Sequence, residues 1–349
     1  MRRKMQRAVL VRHRAHVGRA VARVCVVAAL VVLVAGCGPQ AELVSEVDYR
    51  GITVATLRSP SLEDNLLGET PDKRVAVYLP PGYEETDRTY PVVYYLHGFG
   101  FSPTVLASYK PHFDEYFLEH PSDALVIAAV DGTMNLGASF WRNSPVTGNW
   151  ADFAAEEVPA YIERTYRVST EQVGKGLTGF SMGGNAALHL AFSRPEQYGA
   201  VFAVGPAIAP RRAPERFANA PGQPRRASII ATHAHEAVLT DDGGLDEAAL
   251  EEAEITPEVV ELSARRSGAR AIDRMLSEEA AADSFEAHVR IEYGTRERQF
   301  IKEAVGDVKT VLEEHGVPHE VVEFDGGHAL PASHVASVIV PYFARRLEP

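Results

Sequence analysis

Short apolar runs alternate with longer, mixed segments along most of this 349-residue chain. Residues 91–96 and 124–130 are almost continuously apolar, a pattern typical of strands that are buried on both faces of a sheet. Residues 103–119, between them, have the length and composition of a helix. Because strands alternate with helices in this way, we predict a mostly parallel sheet with helices on both faces.

The same pattern predicts the remaining elements of the sheet and its helices. Further strands are predicted at residues 52–57, 73–79, 173–178, 199–204, 288–293 and 320–324. Further helices are predicted at residues 152–166, 186–192 and 331–347, the first of them with a kink at Pro159.

Residues 206–287 interrupt this rhythm. Their first part, rich in Pro and Arg, predicts an irregular loop, and helices are predicted at residues 245–254, 257–267 and 270–282. An insertion at this point would lie over the carboxyl ends of the strands. We therefore interpret it as a cap that shapes substrate access, with a surface elaboration as the alternative.

The first 36 residues differ in composition from the rest of the chain. They contain eight Lys or Arg residues and no acid, and they include an apolar run at residues 24–35. This run is too short to span a bilayer as an ordinary helix, so residues 1–36 are predicted to be a signal peptide.

The motif Val-Ala-Gly-Cys, which ends at Cys37, resembles a bacterial lipobox. We expect lipidation of Cys37, with an ordinary secretory signal as the alternative. The protein would then be anchored on the extracytoplasmic side of the bacterial cell envelope. Residues 37–48 would be a polar tether, and residues 49–349 a single domain that contains the insertion.

Charge and cysteine content narrow the possible partners. Without the first 36 residues, 27 Lys and Arg face 47 Asp and Glu, a net charge of about −20. Such a surface repels phosphates, so nucleic acid is not an expected partner, and membrane contact would come from the lipid anchor alone. The second cysteine, Cys25, lies in the signal segment, so no intramolecular disulfide is expected.

Candidate chemistry centres on the sequence L-T-G-F-S-M-G-G-N at residues 177–185. Residues 179–183 fit the G-x-S-x-G nucleophile elbow, in which a serine stands on a sharp turn between a strand and a helix. A strand is predicted before this motif and a helix after it, so the required context is present. Ser181 is therefore the candidate nucleophile of an α/β-hydrolase fold.

An acid and then a histidine must follow the serine in this fold. His328 follows the last predicted strand, after two glycines that would turn the imidazole back over the site. Glu297 is the preferred acid because it follows the preceding strand. Asp325 is its rival, although it stands only three residues before the histidine, and Asp283 is a more remote alternative.

For four other histidines we predict structural or surface roles. His97 and His189 lie next to or within packed elements, so structural roles are predicted for both. His233 and His235 have a metal-like spacing, but no third ligand stands near them in sequence, and a surface pair is expected.

An oxyanion hole in this fold needs two backbone N–H groups. One belongs to the residue after the nucleophile, which is Met182. The other belongs to the loop after the strand at residues 91–96, where the register makes Phe99 the expected donor.

Several motifs together resemble the esterase D family of α/β-hydrolases: H-G-F-G at residues 97–100, N-S-P-V-T-G-N-W-A-D-F at 143–153, Y-I-E-R-T-Y-R at 161–167, G-F-S-M-G-G and G-G-H. That family includes feruloyl and siderophore esterases, S-formylglutathione hydrolases and mycolyltransferases. The resemblance implies the same roles for Ser181, His328, Phe99 and Met182. Many members carry Asp where Glu297 stands, whereas the mycolyltransferases use Glu, and a tryptophan often seen after the histidine is missing here.

The leading hypothesis is a serine carboxylic-ester hydrolase that acts on a small-molecule ester through an acyl-enzyme and needs no cofactor. An acyltransferase would use the same residues with an alcohol in place of water. A non-catalytic surface lipoprotein could reuse the fold to bind a ligand. Ser181, Glu297 and His328 in the order of a hydrolase favour an enzyme.

Overall fold

The computed structural model describes residues 40–209, 223–252, 254–278 and 285–349. The predicted signal peptide, Cys37 and Asp283 lie outside these residues. Within the described ranges, no helix is both long enough and apolar enough to cross a membrane.

The described residues form one large sheet and a small two-stranded ribbon. The strands are β1 Glu42–Tyr49, β2 Ile52–Arg58, β3 Asp72–Tyr78, β4 Val92–Leu96, β5 Val126–Val130, β6 Asn143–Ser144, β7 Gly148–Asn149, β8 Lys175–Phe180, β9 Ala200–Val204, β10 His288–Gly294 and β11 His319–Phe324. The order in the large sheet is β1-β2-β3-β5-β4-β8-β9-β10-β11, and β6 pairs with β7. Pairing is antiparallel from β1 to β5 and parallel from β5 to β11, which confirms the predicted mostly parallel sheet.

The predicted tether at residues 37–48 is wrong from Glu42 onward, because β1 pairs with β2 in an antiparallel hairpin. The chain reverses at Arg50 and Gly51, which both have positive φ, 56° and 78°. Every residue of β1 is exposed, so the strand lacks the alternation of buried and exposed positions by which strands are recognised in a sequence.

Helices cover the two faces of the sheet. They are α1 Leu106–Glu119, α2 Val158–Thr165, α3 Met182–Ser193, α4 Gln223–His233, α5 Glu247–Glu251, α6 Pro257–Ser267, α7 Ala269–Ser277, α8 Gln299–Glu314 and α9 Val340–Ala344. A π turn at Phe153–Glu157 leads into α2, directly before the Pro159 at which a kink was expected. A second π turn, Val335–Ile339, leads into α9.

The described parts of the insertion at residues 206–287 contain a helix at each of the three predicted places, α5, α6 and α7. Helix α6 has the predicted bounds, and Thr256 caps it by accepting a hydrogen bond from the Val259 N–H at 3.3 Å. The irregular loop predicted for the first part of the insertion is wrong at α4, for which no helix was predicted. Pro224 falls in its first turn, where proline is tolerated, and Ile229 and Ile230 are buried.

The order of the strands reverses in the middle of the sheet. The strand β4 has β5 on one side and β8 on the other. In open parallel sheets, the crevice beyond the carboxyl ends of the strands at such a point is where ligands bind. The register pairs Leu96 with Gly179, so β4 and β8 end together beside the serine motif.

Candidate active site

Ser181 stands on the sharp turn between β8 and α3. Its backbone has φ 57° and ψ −112°, a conformation that costs energy for a residue with a side chain and persists only when its surroundings impose it. The Ser181 N–H donates to the Val204 carbonyl at 2.8 Å, and the Ser181 carbonyl accepts from Ala207 at 2.9 Å. These bonds to the end of β9 and its following loop hold the turn in place.

Gly183 allows α3 to begin close to β4. A Cβ atom at this position would lie 1.9 Å from the Leu96 carbonyl oxygen, which leaves no space for any side chain. The second glycine of the motif therefore serves the approach of the helix to the neighbouring strand.

His328 connects the serine to a carboxylate. The Ser181 hydroxyl lies 2.8 Å from His328 Nε2, and His328 Nδ1 lies 2.7 Å from Glu297 Oε2. The imidazole also packs against the Phe180 ring, with 4.9 Å between the ring centroids. The structure thus brings together the three side chains that the sequence analysis selected.

Glu297 is held in a buried turn after β10. Its side chain is 1% exposed, and Oε1 accepts a hydrogen bond from the Arg298 N–H at 2.7 Å. Both carboxylate oxygens are therefore satisfied while Oε2 faces the imidazole. Asp325, the rival acid, instead pairs with Arg296 on the surface, and its side chain is 87% exposed.

Gly205 leaves room for the contact between Glu297 and His328. A Cβ atom here would lie 3.1 Å from Glu297 Oε2 and 3.4 Å from His328 Nδ1, and the residue has φ 48°. Sequence reasoning missed this position. Its only signal is a glycine directly after the apolar run that forms β9.

The loop after β4 approaches the serine from the other side. Phe99 lines the same pocket as Ser181, and Met182 is the first residue of α3, where an N–H finds no carbonyl within the helix. Both expected oxyanion donors therefore lie beside the nucleophile.

His97 fixes this loop, and its imidazole is fully buried. Its Nε2 accepts the Gly132 N–H at 3.0 Å, so the ring proton resides on Nδ1, which donates to the Gly98 carbonyl at 2.9 Å. The ring ties the loops after β4 and β5 together. The structural role predicted for His97 matches these contacts.

A pocket of about 300 Å³ opens beside Ser181 and His328. Its walls are mainly aromatic and come from both sides of the serine: Tyr95, Phe99, Phe101, Tyr109, Phe180 and Leu330. Pockets of this kind bind the apolar part of a small molecule. None of its lining residues belongs to the described parts of the insertion, so the predicted role of the insertion in substrate access stays a prediction.

No group of three or more His, Cys, Asp or Glu side chains within the described ranges is arranged to hold a metal ion. The prediction of a surface pair is wrong for His233, which is only 3% exposed and packs against the Phe140 ring, with 4.9 Å between the ring centroids.

The arrangement has the features of a base-activated hydroxyl. An imidazole that accepts the serine proton becomes a cation, and a buried carboxylate on its far nitrogen stabilises that cation and fixes the tautomer. An electrophilic group bound in the pocket would lie next to the serine hydroxyl.

Curated relatives match the chain over a limited stretch. The esterase Rv1288 of Mycobacterium tuberculosis (strain ATCC 25618 / H37Rv) is 32% identical over 124 residues, 34% of this chain and 25% of that protein. The esterase MT1326 of Mycobacterium tuberculosis (strain CDC 1551 / Oshkosh) gives the same values. The match spans about a quarter of the length of these relatives.

Solved structures are similar over most of the chain. A ferulic acid esterase superposes with a TM-score of 0.59 at 20% identity, covering 89% of this chain and all of that one. An S-formylglutathione hydrolase from Agrobacterium tumefaciens gives 0.56 at 18% identity, with 88% and 100% covered. These similarities confirm the predicted α/β-hydrolase fold.

A family model described as putative esterase matches residues 70–332, about three quarters of the chain. This match confirms the resemblance found in the sequence motifs. The chain therefore belongs to the putative esterase family, and this membership supports ester hydrolysis as its reaction.

Proposed function

We propose that this protein is a serine esterase that hydrolyses carboxylic esters through an acyl-enzyme intermediate. The observation that carries the proposal is the continuous chain of hydrogen bonds from Ser181 through His328 to the buried Glu297. A surface binding protein would have no use for a serine that is held in a strained backbone conformation with its hydroxyl against a carboxylate-backed imidazole.

In the proposed mechanism, Ser181 Oγ attacks the ester carbonyl while His328 Nε2 takes the hydroxyl proton. The tetrahedral oxyanion receives hydrogen bonds from the N–H groups of Met182 and Phe99. His328 then returns the proton to the departing alcohol, and the C–O bond of the ester breaks. Water then attacks the acyl carbonyl while the same imidazole takes its proton, and the imidazolium returns that proton to Ser181 Oγ as the bond to the acyl group breaks and the carboxylic acid leaves.

The pocket beside Ser181 suits an ester of modest size. Its aromatic walls favour an apolar acyl or alcohol group, and its volume of about 300 Å³ lies at the small end of the usual range for ligand sites. We therefore propose a small-molecule ester with one apolar group as the substrate.

A fluorophosphonate probe tests the nucleophile directly. We expect the wild-type protein to gain the mass of one probe less HF, as the serine oxygen displaces fluoride, and to hydrolyse a 4-nitrophenyl ester, and Ser181→Ala to do neither. Ser193→Ala is the matched control, because Ser193 lies at the far end of the same helix, where its hydroxyl bonds the Leu190 carbonyl and the Arg194 side chain. Equal labelling of wild type and Ser181→Ala, or no labelling of either, would refute the serine mechanism.

The acceptor is tested in the same assay. Addition of an alcohol should leave the release of carboxylic acid dominant if water is the natural acceptor. Transfer of most of the acyl group to the alcohol would instead identify an acyltransferase.

We also propose that the protein is exported and anchored through lipidated Cys37. The motif at the end of the apolar run supports this proposal. Cys37→Ser should abolish incorporation of labelled fatty acid and release the protein from membranes. A Cys37→Ser protein that stays membrane-bound at its normal mature size would contradict it.

A further inference from the structure

A second cavity, of about 350 Å³, lies along α3 and is lined by basic side chains. It is bounded by the segment before β6, by α3 and by the insertion, through Arg142, His189, Arg194, His233 and Arg266. His189 follows Ser181 by eight residues, a rise of about 12 Å along a helix. No residue lines both this cavity and the pocket beside Ser181, so the two are separate.

Arg142 is the unusual member of this group. It is only 5% exposed, and both Nε and Nη1 lack a hydrogen-bond partner among the described residues. Nη2 makes one long contact of 3.4 Å, to Asn185 Oδ1. Burial lowers the pKa of Arg142 to about 9, so the guanidinium remains charged at neutral pH. A buried charge with unpaired donors is costly and calls for a counter-ion.

The other two arginines at the cavity are already neutralised. Arg194 donates to Asp152 at 2.7 Å and to Glu156 at 2.9 Å. Arg266 forms an ion pair with Glu236 at the far side. No carboxylate within the described ranges lies within 4 Å of the Arg142 guanidinium, so this cation is left without a charge partner.

Two histidines add further hydrogen-bonding capacity at the cavity. His233 Nε2 and His189 Nδ1 are buried and have no hydrogen-bond partner in the part of the chain that the structure describes, while His233 Nδ1 lies 3.2 Å from Ser263 Oγ. Burial, and then the charge of Arg142, lower the pKa of both imidazoles, so both are neutral at pH 7. When Ser263 donates to Nδ1, the neutral His233 ring carries its proton on Nε2 and offers a donor.

We propose that this cavity is a binding site for a small oxyanion, a carboxylate or a phosphate-type group, that pairs with Arg142 and accepts a hydrogen bond from His233. Such a ligand accounts for the buried charge, for its unpaired donors and for the open cavity that Arg142 lines. Arginine is the side chain best suited to carboxylate and phosphate oxygens. The site is independent of ester turnover at Ser181.

Thermal unfolding in different salts tests the proposal. Phosphate and acetate are each titrated against chloride at constant ionic strength, so that general screening is the same throughout. We expect a saturable rise in the Tm of the wild type, about 5 °C at one hundred times the dissociation constant. Arg142→Met keeps the length of the side chain without the charge and should lose the rise.

Arg265→Gln is the matched control. Arg265 lies next to Arg266 on α6 but is exposed and paired with Glu261, so its loss should leave the anion-dependent rise unchanged. His233→Phe keeps the ring packing and removes the donor, so it should weaken apparent binding about tenfold. Equal rises in wild type and Arg142→Met, or no rise in the wild type, would overturn the proposal.

Two further experiments identify the ligand, and both use the wild-type protein, so neither requires that a variant folds. Tighter binding of phenyl phosphate or benzoate than of phosphate or acetate would show that the anion is the acidic end of an organic molecule. The reverse order would identify a free ion. Wild-type crystals soaked in selenate should show an anomalous peak within hydrogen-bond distance of Arg142, and a map without that peak would refute the site.

Discussion

Two histidine–glutamate pairs in this molecule are almost identical as isolated contacts. His328 lies 2.7 Å from Glu297, and His334 lies 2.7 Å from Glu292. The side chains are 18% and 1% exposed in the first pair and 16% and 2% in the second. Each imidazole also packs against a phenylalanine, Phe180 for His328 and Phe324 for His334.

The pairs differ in what lies beyond the shared contact. The second nitrogen of His328 reaches the Ser181 hydroxyl, and the second oxygen of Glu297 accepts only a backbone N–H. The second oxygen of Glu292 instead accepts from Arg290 Nε at 2.8 Å. Glu292 is therefore neutralised by a permanent cation, whereas Glu297 has its negative charge available when His328 becomes protonated.

This difference separates the pair for which we propose a catalytic role from the pair at Glu292 and His334. Burial, distance and aromatic packing are shared, so none of them identifies the site. A carboxylate without an arginine stabilises an imidazolium more strongly than one already paired, because its charge is not shared. The neighbours of the pair decide its role.

The largest expected effect is the loss of ester turnover when His328 is removed, compared with the removal of His334. His328→Ala should lower kcat for a 4-nitrophenyl ester by about 10⁴-fold or more, since the members of a triad fail together, and should also lower the Tm, because the buried Glu297 loses a hydrogen bond. His334→Ala should keep kcat within a few-fold and lower the Tm, because Glu292 loses a buried hydrogen bond worth about 1–3 kcal/mol. Similar losses of activity in both variants would remove the distinction between the pairs.

Removing the charge of Glu297 should have the next largest effect on ester turnover. Glu297→Gln keeps the shape of the side chain and removes its charge, so kcat should fall by about 10²- to 10⁴-fold. Asp325→Asn should change kcat less than about twofold, since its carboxylate is exposed and paired with Arg296. Circular dichroism should show both variants folded. A large loss in Asp325→Asn beside a near-normal Glu297→Gln would reverse the roles of the two acids.

The elements that could be predicted from the sequence are those with a local signature. Buried strands such as β4 and β5 appear as apolar runs, and the elbow at Ser181 is a contiguous motif. The acid could only be narrowed to a few candidates, because Glu297 and Asp325 both follow neighbouring strands. The register pairs Gly294 with Phe324 and so places their two turns side by side.

What the sequence could not supply depends on contacts between distant segments. His97 is bonded to Gly132, 35 residues away, and nothing in its own surroundings predicts that partner. The burial of His233 comes from packing against Phe140, which is far from it along the chain. The residues next to His233 in sequence therefore do not predict that burial. The lack of a carboxylate partner for Arg142 among the described residues can be recognised only from the positions of its neighbours in the fold.

The smallest expected effect concerns the dependence of stability on pH at the structural pair. Burial alone would raise the pKa of Glu292, but the hydrogen bonds and charges of His334 and Arg290 hold it below its ordinary value of 4.5. A lowered pKa in the folded state contributes stability above the unfolded pKa and loses it as the pH falls through the folded pKa. Wild type should therefore exceed Glu292→Gln in Tm at pH 7, by the equivalent of about 1–3 kcal/mol, and this gap should narrow below pH 4.5. Ester turnover at pH 7 should be the same in both proteins. A gap in Tm that is constant from pH 7 to pH 3 would show that Glu292 contributes through shape and not through its charge.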